Sequence, residues 1–141
     1  MIVSTQPCPT GHHGYSETVP GLEESAEVAR KLVKTALAAW HLEELTDAGT
    51  LLVSELVANA VKHTNSRLIR VVITRPSKRF VRIAVVDKSR TMPEMKTSND
   101  DNLSTGGRGL LLIDALSDRW GTDLYRWGKR VWGELQCEVE Q

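Results

Sequence analysis

The chain predicts an α+β two-layer sandwich: a mixed, mostly antiparallel sheet covered on one face by three helices. Three observations predict it. Segments of helical period and of strand alternation follow one another as strand, helix, helix, strand, strand, loop, helix, strand, strand. The paired strand segments are separated by short turns, as antiparallel hairpins are. Each helical segment has apolar residues to bury, and confining the helices to one face of the sheet buries both apolar sets at once. A length of 141 residues suits one such domain with a sizeable core.

Residues 1–14 carry Pro7, Pro9, Gly11 and Gly14 without apolar periodicity, and read as a flexible N-terminal tail preceding a domain over 15–141. Cys8, His12 and His13 in this stretch lack a fourth partner and a recognised spacing for a metal. Tyr15 to Val19 alternates weakly as a short edge strand, which Pro20-Gly21 ends. Leu22 to Trp40 is helical, with Val28, Leu32, Thr35, Ala36 and Ala39 recurring at three and four, and Glu27, Arg30, Lys31 and Lys34 opposite. Glu43 to His63 is a longer helix, with Thr46 or Asp47 near its start and Gly49 as an interior irregularity. Leu68 to Thr74 and Phe80 to Val86 alternate as strands around the turn Pro76-Ser77-Lys78. Lys88 to Gly106 is polar and long enough to suggest a lid or binding loop. Gly107 to Ser117 is a third, very apolar helix, and Arg119 to Trp127 and Arg130 to Glu138 are strands joined at Gly128-Lys129.

Lys plus Arg balances Asp plus Glu at 18 each, so nothing suggests bulk electrostatic binding to nucleic acid. Hydrophobic content of 40% and charged content of 26% are those of an ordinary soluble domain, with no membrane-length apolar run and no secretory signal. Two cysteines without a C-x-x-C pattern read as free thiols, and the expected location is cytoplasmic.

Three segments carry candidate chemistry. Glu55 and Asn59 lie four apart in the otherwise apolar stretch Leu51 to Val61, so on a helix they stack on one face. A carboxylate and an amide there must be hydrogen-bonded, coordinated or paired, or else form a polar stripe at the helix edge. Asp87 shares the inward face of Val81, Ile83 and Val85 at a strand end, where it could cap a turn or accept hydrogen bonds from a ligand amine. Gly106-Gly107-Arg108-Gly109 opens an apolar helix, either as a plain junction or as a close backbone approach to phosphate. It is neither a P-loop nor a dinucleotide turn.

In this order the three segments resemble the GHKL superfamily of ATPases and kinases, and the small single-domain form looks most like bacterial anti-sigma-factor serine/threonine kinases. The stretch Leu52-Val53-Ser54-Glu55-Leu56-Val57-Ala58-Asn59-Ala60-Val61-Lys62-His63-Thr64 is similar to their N-box, and the resemblance spans Tyr15 to the C-terminus. It implies the Bergerat, or histidine kinase-like, fold with ATP and Mg²⁺ as cofactors. Asn59 would ligate Mg²⁺, Asp87 would accept the adenine amine, and Glu55 would be the general base. Gly107 and Gly109 would shape the phosphate-facing end of the lid, and the ATP site would also draw on His63, Ser89, Met92, Arg108 and Leu110. The superfamily's Asp-x-Gly-x-Gly is here Asp87-Lys88-Ser89-Arg90-Thr91, and Thr122 is a candidate to support Asp87. The partners implied are an anti-sigma antagonist and a sigma factor, with no direct nucleic acid or membrane contact; a homodimer is left open. The alternative is a nucleotide-gated protein-binding module without kinase activity.

Overall fold

Strict alternation builds the sheet. Leu68–Ser77 (β3) buries Ile69, Val71 and Ile73, and Phe80–Asp87 (β4) buries Val81, Ile83, Val85 and Asp87 on the same side. The computed structural model describes residues 3–7, 13–63, 67–88 and 105–137, and of 3–7, 13 and 105–110 it describes the backbone. The remaining elements are β1 (Val3–Pro7), β2 (His13–Pro20), α1 (Ser25–Ala39), α2 (Thr46–His63), α3 (Thr105–Leu116), β5 (Arg119–Tyr125) and β6 (Gly128–Gln136). They form one six-stranded sheet in the order β1-β2-β3-β4-β6-β5. Every pairing among the described residues is antiparallel, so the expected α+β sandwich holds without the parallel strands that a mixed sheet would contain.

The first strand departs from the expected tail. Val3–Pro7 pairs with β2, and β2 itself begins at His13, within the stretch 1–14. The segment is too short and too polar to show alternation, and its strand form is set by the β2 backbone edge it pairs with. The second departure is the last hairpin. Its turn is Arg126–Trp127, closed by the pair Tyr125↔Gly128, so Gly128 and Lys129 belong to β6 rather than to the turn. The third helix likewise starts at Thr105, two residues before the expected Gly107, which puts Gly106 inside its first turn together with Gly107.

Helix α1 buries Ala29, Leu32, Val33, Ala36 and Leu37, while Thr35 and Ala39 are exposed, so its apolar stripe is rotated by about one position from the expected one. The small residue Gly49 is explained by packing. A Cβ there would stand 3.0 Å from Val33 and 3.3 Å from Leu37, so its absence lets α2 lie close against α1 over the centre of β4. Leu52, Val53, Leu56 and Val57 complete the helix side of the core.

The opposite face of the sheet has no helix among the described residues and is held by a charged and aromatic layer. Glu134 is fully buried there between two arginines: Arg82 at 2.7 Å, and Arg119, which pairs with the other carboxylate oxygen. The Arg82 guanidinium lies 4.4 Å over the Trp132 ring and that of Arg119 4.4 Å over Phe80. Of the other tryptophans, Trp40 packs edge-on to Tyr15, Trp120 donates to Asp114 at 2.8 Å, and Trp127 is exposed and stacked on Tyr125. No described helix is long and apolar enough to cross a membrane.

Leu51 and Leu52 are neighbours of opposite fate, the first exposed and the second fully buried. Leu52→Ala should lower the unfolding free energy by about 2–5 kcal/mol, and Leu51→Ala should change it by no more than about 0.5 kcal/mol. Urea denaturation of the two variants checks this; equal effects would mean that α2 does not present the face described.

Candidate functional site

The elements carry the candidate residues to one end of the sheet. Gly49, near the start of α2, sits over Ile83 in mid-strand. Helix α1 runs antiparallel to α2, with Arg30 Nη1 donating to Ser54 Oγ at 3.1 Å, and its first residue is tied by a 2.6 Å bond from Ser25 Oγ to the Pro20 carbonyl. Pro20 pairs with Leu68, in the row just beyond Asp87, and the Gly21 N–H donates to the Arg67 carbonyl at 2.9 Å. The last turns of α2, with Asn59 and His63, therefore lie at the Asp87 end.

Asn59 faces the interior of the α2 surface and is 3% exposed. Among the described residues neither its Oδ1 nor its Nδ2 has a hydrogen-bond partner. Leaving a buried amide unsatisfied costs about 1–3 kcal/mol, so a ligand or water that supplied the missing partner would be favoured there. One oxygen ligand suits Mg²⁺, which keeps several waters and takes the rest of its shell from phosphates. The described residues hold no cluster of His, Cys, Asp and Glu that could bind a metal without such help. Glu55 is half-buried one turn before Asn59 on the same face, and His63 is half-buried one turn after it.

Asp87 is 2% exposed and looks inward, as its register with Val81, Ile83 and Val85 requires. Its direct cross-strand partner on β6 is Lys129. The Lys129 ammonium lies 3.3 Å from Asp87 Oδ1, and the Lys129 side chain is wholly buried. Lys129 is the residue that sequence reasoning missed. Placed in a turn, it reads as solvated; placed second in β6, it falls on the helix-facing side with Val131, Gly133 and Leu135. The signal available was the alternation backwards from Leu135 and Val131, which reaches residue 129. Thr122, a candidate to support Asp87, pairs with Val131 one strand further on.

Gly128 explains how this pair is fixed. A Cβ on it would stand 2.1 Å from the Asp87 carbonyl oxygen and 2.7 Å from the Lys88 Cα. Only a residue without a side chain lets β6 begin against the end of β4. Gly107, Arg108, Gly109 and Leu110 lie in the first turns of α3, whose other end brings Ser117 against Gly133. The side chains of Arg108 and Leu110, together with Ser89, Met92 and most of the expected lid over 88–106, lie outside the described residues.

The family model for a histidine kinase-like ATPase domain matches residues 19–131, a span that contains Glu55, Asn59, Asp87 and Lys129. No curated protein matches the chain.

Gly128→Ala should destabilise the fold by about 1–3 kcal/mol through forced displacement of the β4 end, and should disturb the amide resonances of Asp87 and Lys129. An unchanged melting temperature with unchanged spectra would show that the two strand ends are free to separate.

Proposed function

The chain belongs to the histidine kinase-like ATPase domain family, and on that premise we propose that it is an ATP-dependent serine/threonine kinase that phosphorylates an anti-sigma antagonist and controls a sigma factor. Nucleotide binding follows from the family. The observation that supports its use here is the buried, unsatisfied amide of Asn59 at the same end of the sheet as the inward carboxylate of Asp87. In this reading Asp87 accepts a hydrogen bond from the adenine amine, and Asn59 holds Mg²⁺. The metal, when bound, neutralises phosphate charge. The glycines at 107 and 109 let the α3 backbone approach the phosphates.

Glu55 is the proton acceptor in this proposal. The serine hydroxyl of the antagonist gives its proton to the Glu55 carboxylate as its oxygen bonds to the γ-phosphorus. The bond from that phosphorus to the bridging oxygen breaks, and ADP leaves. Phosphoryl transfer needs mostly positioning, and a half-buried carboxylate one turn from Asn59 meets that need. A serine-bearing partner must reach the same opening, so the antagonist docks at the Asp87 end of the sheet.

Isothermal titration should show binding of ADP that weakens when EDTA removes Mg²⁺. Asp87→Asn should weaken ADP binding by about 1.5–3 kcal/mol, the value of a hydrogen bond to a charged group. No heat with folded protein at high nucleotide concentration would sink the nucleotide reading. Glu55→Gln should keep nucleotide binding and lower phosphate transfer to the antagonist by about a hundredfold or more. Wild-type protein that binds an antagonist in a nucleotide-dependent way, yet transfers no label from γ-labelled ATP, would favour the binding module over the kinase.

A further inference from the structure

We propose that Lys129 is a base-reading residue: its ammonium donates a hydrogen bond to N1 of the adenine whose 6-amine is accepted by Asp87. The inference rests on the nucleotide reading above and adds a residue and a recognition rule to it.

The geometry carries the argument. Asp87 and Lys129 are direct cross-strand partners, and Lys129 Nζ stands 3.3 Å from Asp87 Oδ1. A ligand atom that bonds to Asp87 Oδ1 lies beside the ammonium that contacts the same oxygen. The edge of adenine offers a donor, the 6-amine, next to an acceptor, N1, and a carboxylate beside an ammonium offers the complementary order. A lone carboxylate reads the amine alone, whereas the pair reads two adjacent ring positions.

Burial makes this recognition count. The Lys129 side chain is 0% exposed and that of Asp87 1%, so no bulk water competes for either group. A fully buried ion pair adds little net stability over apolar residues of similar size. A side chain at residue 128 would collide with the Asp87 carbonyl, so glycine is what lets β6 begin this close to the end of β4. The β4–β6 ladder holds the ammonium in register with the carboxylate. The sequence Gly128-Lys129 accordingly does two jobs: the glycine sets the approach and the lysine supplies the donor.

The test compares ADP with 1-deaza-ADP, which keeps the 6-amine but has carbon in place of N1. Isothermal titration with the full wild-type chain and Mg²⁺ should show 1-deaza-ADP binding about tenfold to a hundredfold more weakly than ADP, the factor of one charged hydrogen bond. 7-Deaza-ADP, altered on the other edge of the ring, should bind like ADP. In Lys129→Met the two ligands should bind alike, and Lys129→Arg should restore part of the preference. A purely structural lysine would weaken both ligands equally and leave their ratio untouched. Equal binding of ADP and 1-deaza-ADP to wild type overturns the proposal and leaves Lys129 as a counterion only. Because that comparison uses wild-type protein, it decides even if Lys129→Met fails to fold. Failure of ADP itself to bind is a different result and removes the nucleotide reading together with this inference.

Discussion

One buried ion pair organises the end of the sheet where β4 finishes and β6 begins. Asp87 and Lys129 are 42 residues apart in the chain and opposite each other in the sheet. Two opposite charges out of water attract strongly but have lost their hydration, and the arrangement survives only where the geometry is held firmly. Here it is held by the β4–β6 ladder, by the bare Cα of Gly128 against the Asp87 carbonyl, and by the apolar layer that Leu52 and Leu56 lay over the strands. A slip of one residue in that ladder would turn Lys129 to the other face and leave Asp87 buried beside Gly128 or Arg130 instead.

The two faces of the sheet handle charge differently. On the helix side, ionic contact among the described sheet residues is confined to one end, and hydrocarbon fills the middle. On the open side, Glu134 is buried without a described helix above it, because Arg82 and Arg119 fold over it and rest on Trp132 and Phe80. The long arginine stems and flat guanidinium groups cover apolar surface while their charges meet the carboxylate. A further pair, Arg130 with Asp123, extends the layer towards the Asp87 end. The sheet is thus roofed on one side by helices and on the other by its own side chains.

Much of this was legible in the sequence, and the misses have physical causes. The α+β class, the order of helices and strands after residue 15, and the inward direction of Asp87 follow from periodicity, which reports burial directly. Periodicity places the apolar stripe of α1 slightly off axis because Thr35 and Ala39 are small enough to fit either side. Strand β1 has no periodic pattern of its own, so only the edge it pairs with reveals it. The last hairpin was misplaced because Gly128 looks like a turn glycine, whereas its role is a close approach to another strand, a constraint that lies 41 residues away in the chain and cannot be seen locally. With the turn moved by two residues, Lys129 passes from solvent to the site. Asn59 stands out for the right reason, an amide in an apolar run, but that it is buried without a partner among the described residues is a fact of packing alone.

The strand order carries a consequence for how the chain can vary. Strands β4 and β6 are neighbours in space, but everything from Lys88 to Trp127 is spun out between them. The entropy of closing such a loop grows only with the logarithm of its length, so doubling it adds about 0.6 kcal/mol. By chain entropy alone, a longer connection between β4 and β6 therefore weighs little on the sheet, as long as Asp87 and Gly128 still meet. The connection between these strands can thus change length at little entropic expense to the sheet, while the pairing of Asp87 with Lys129 stays fixed.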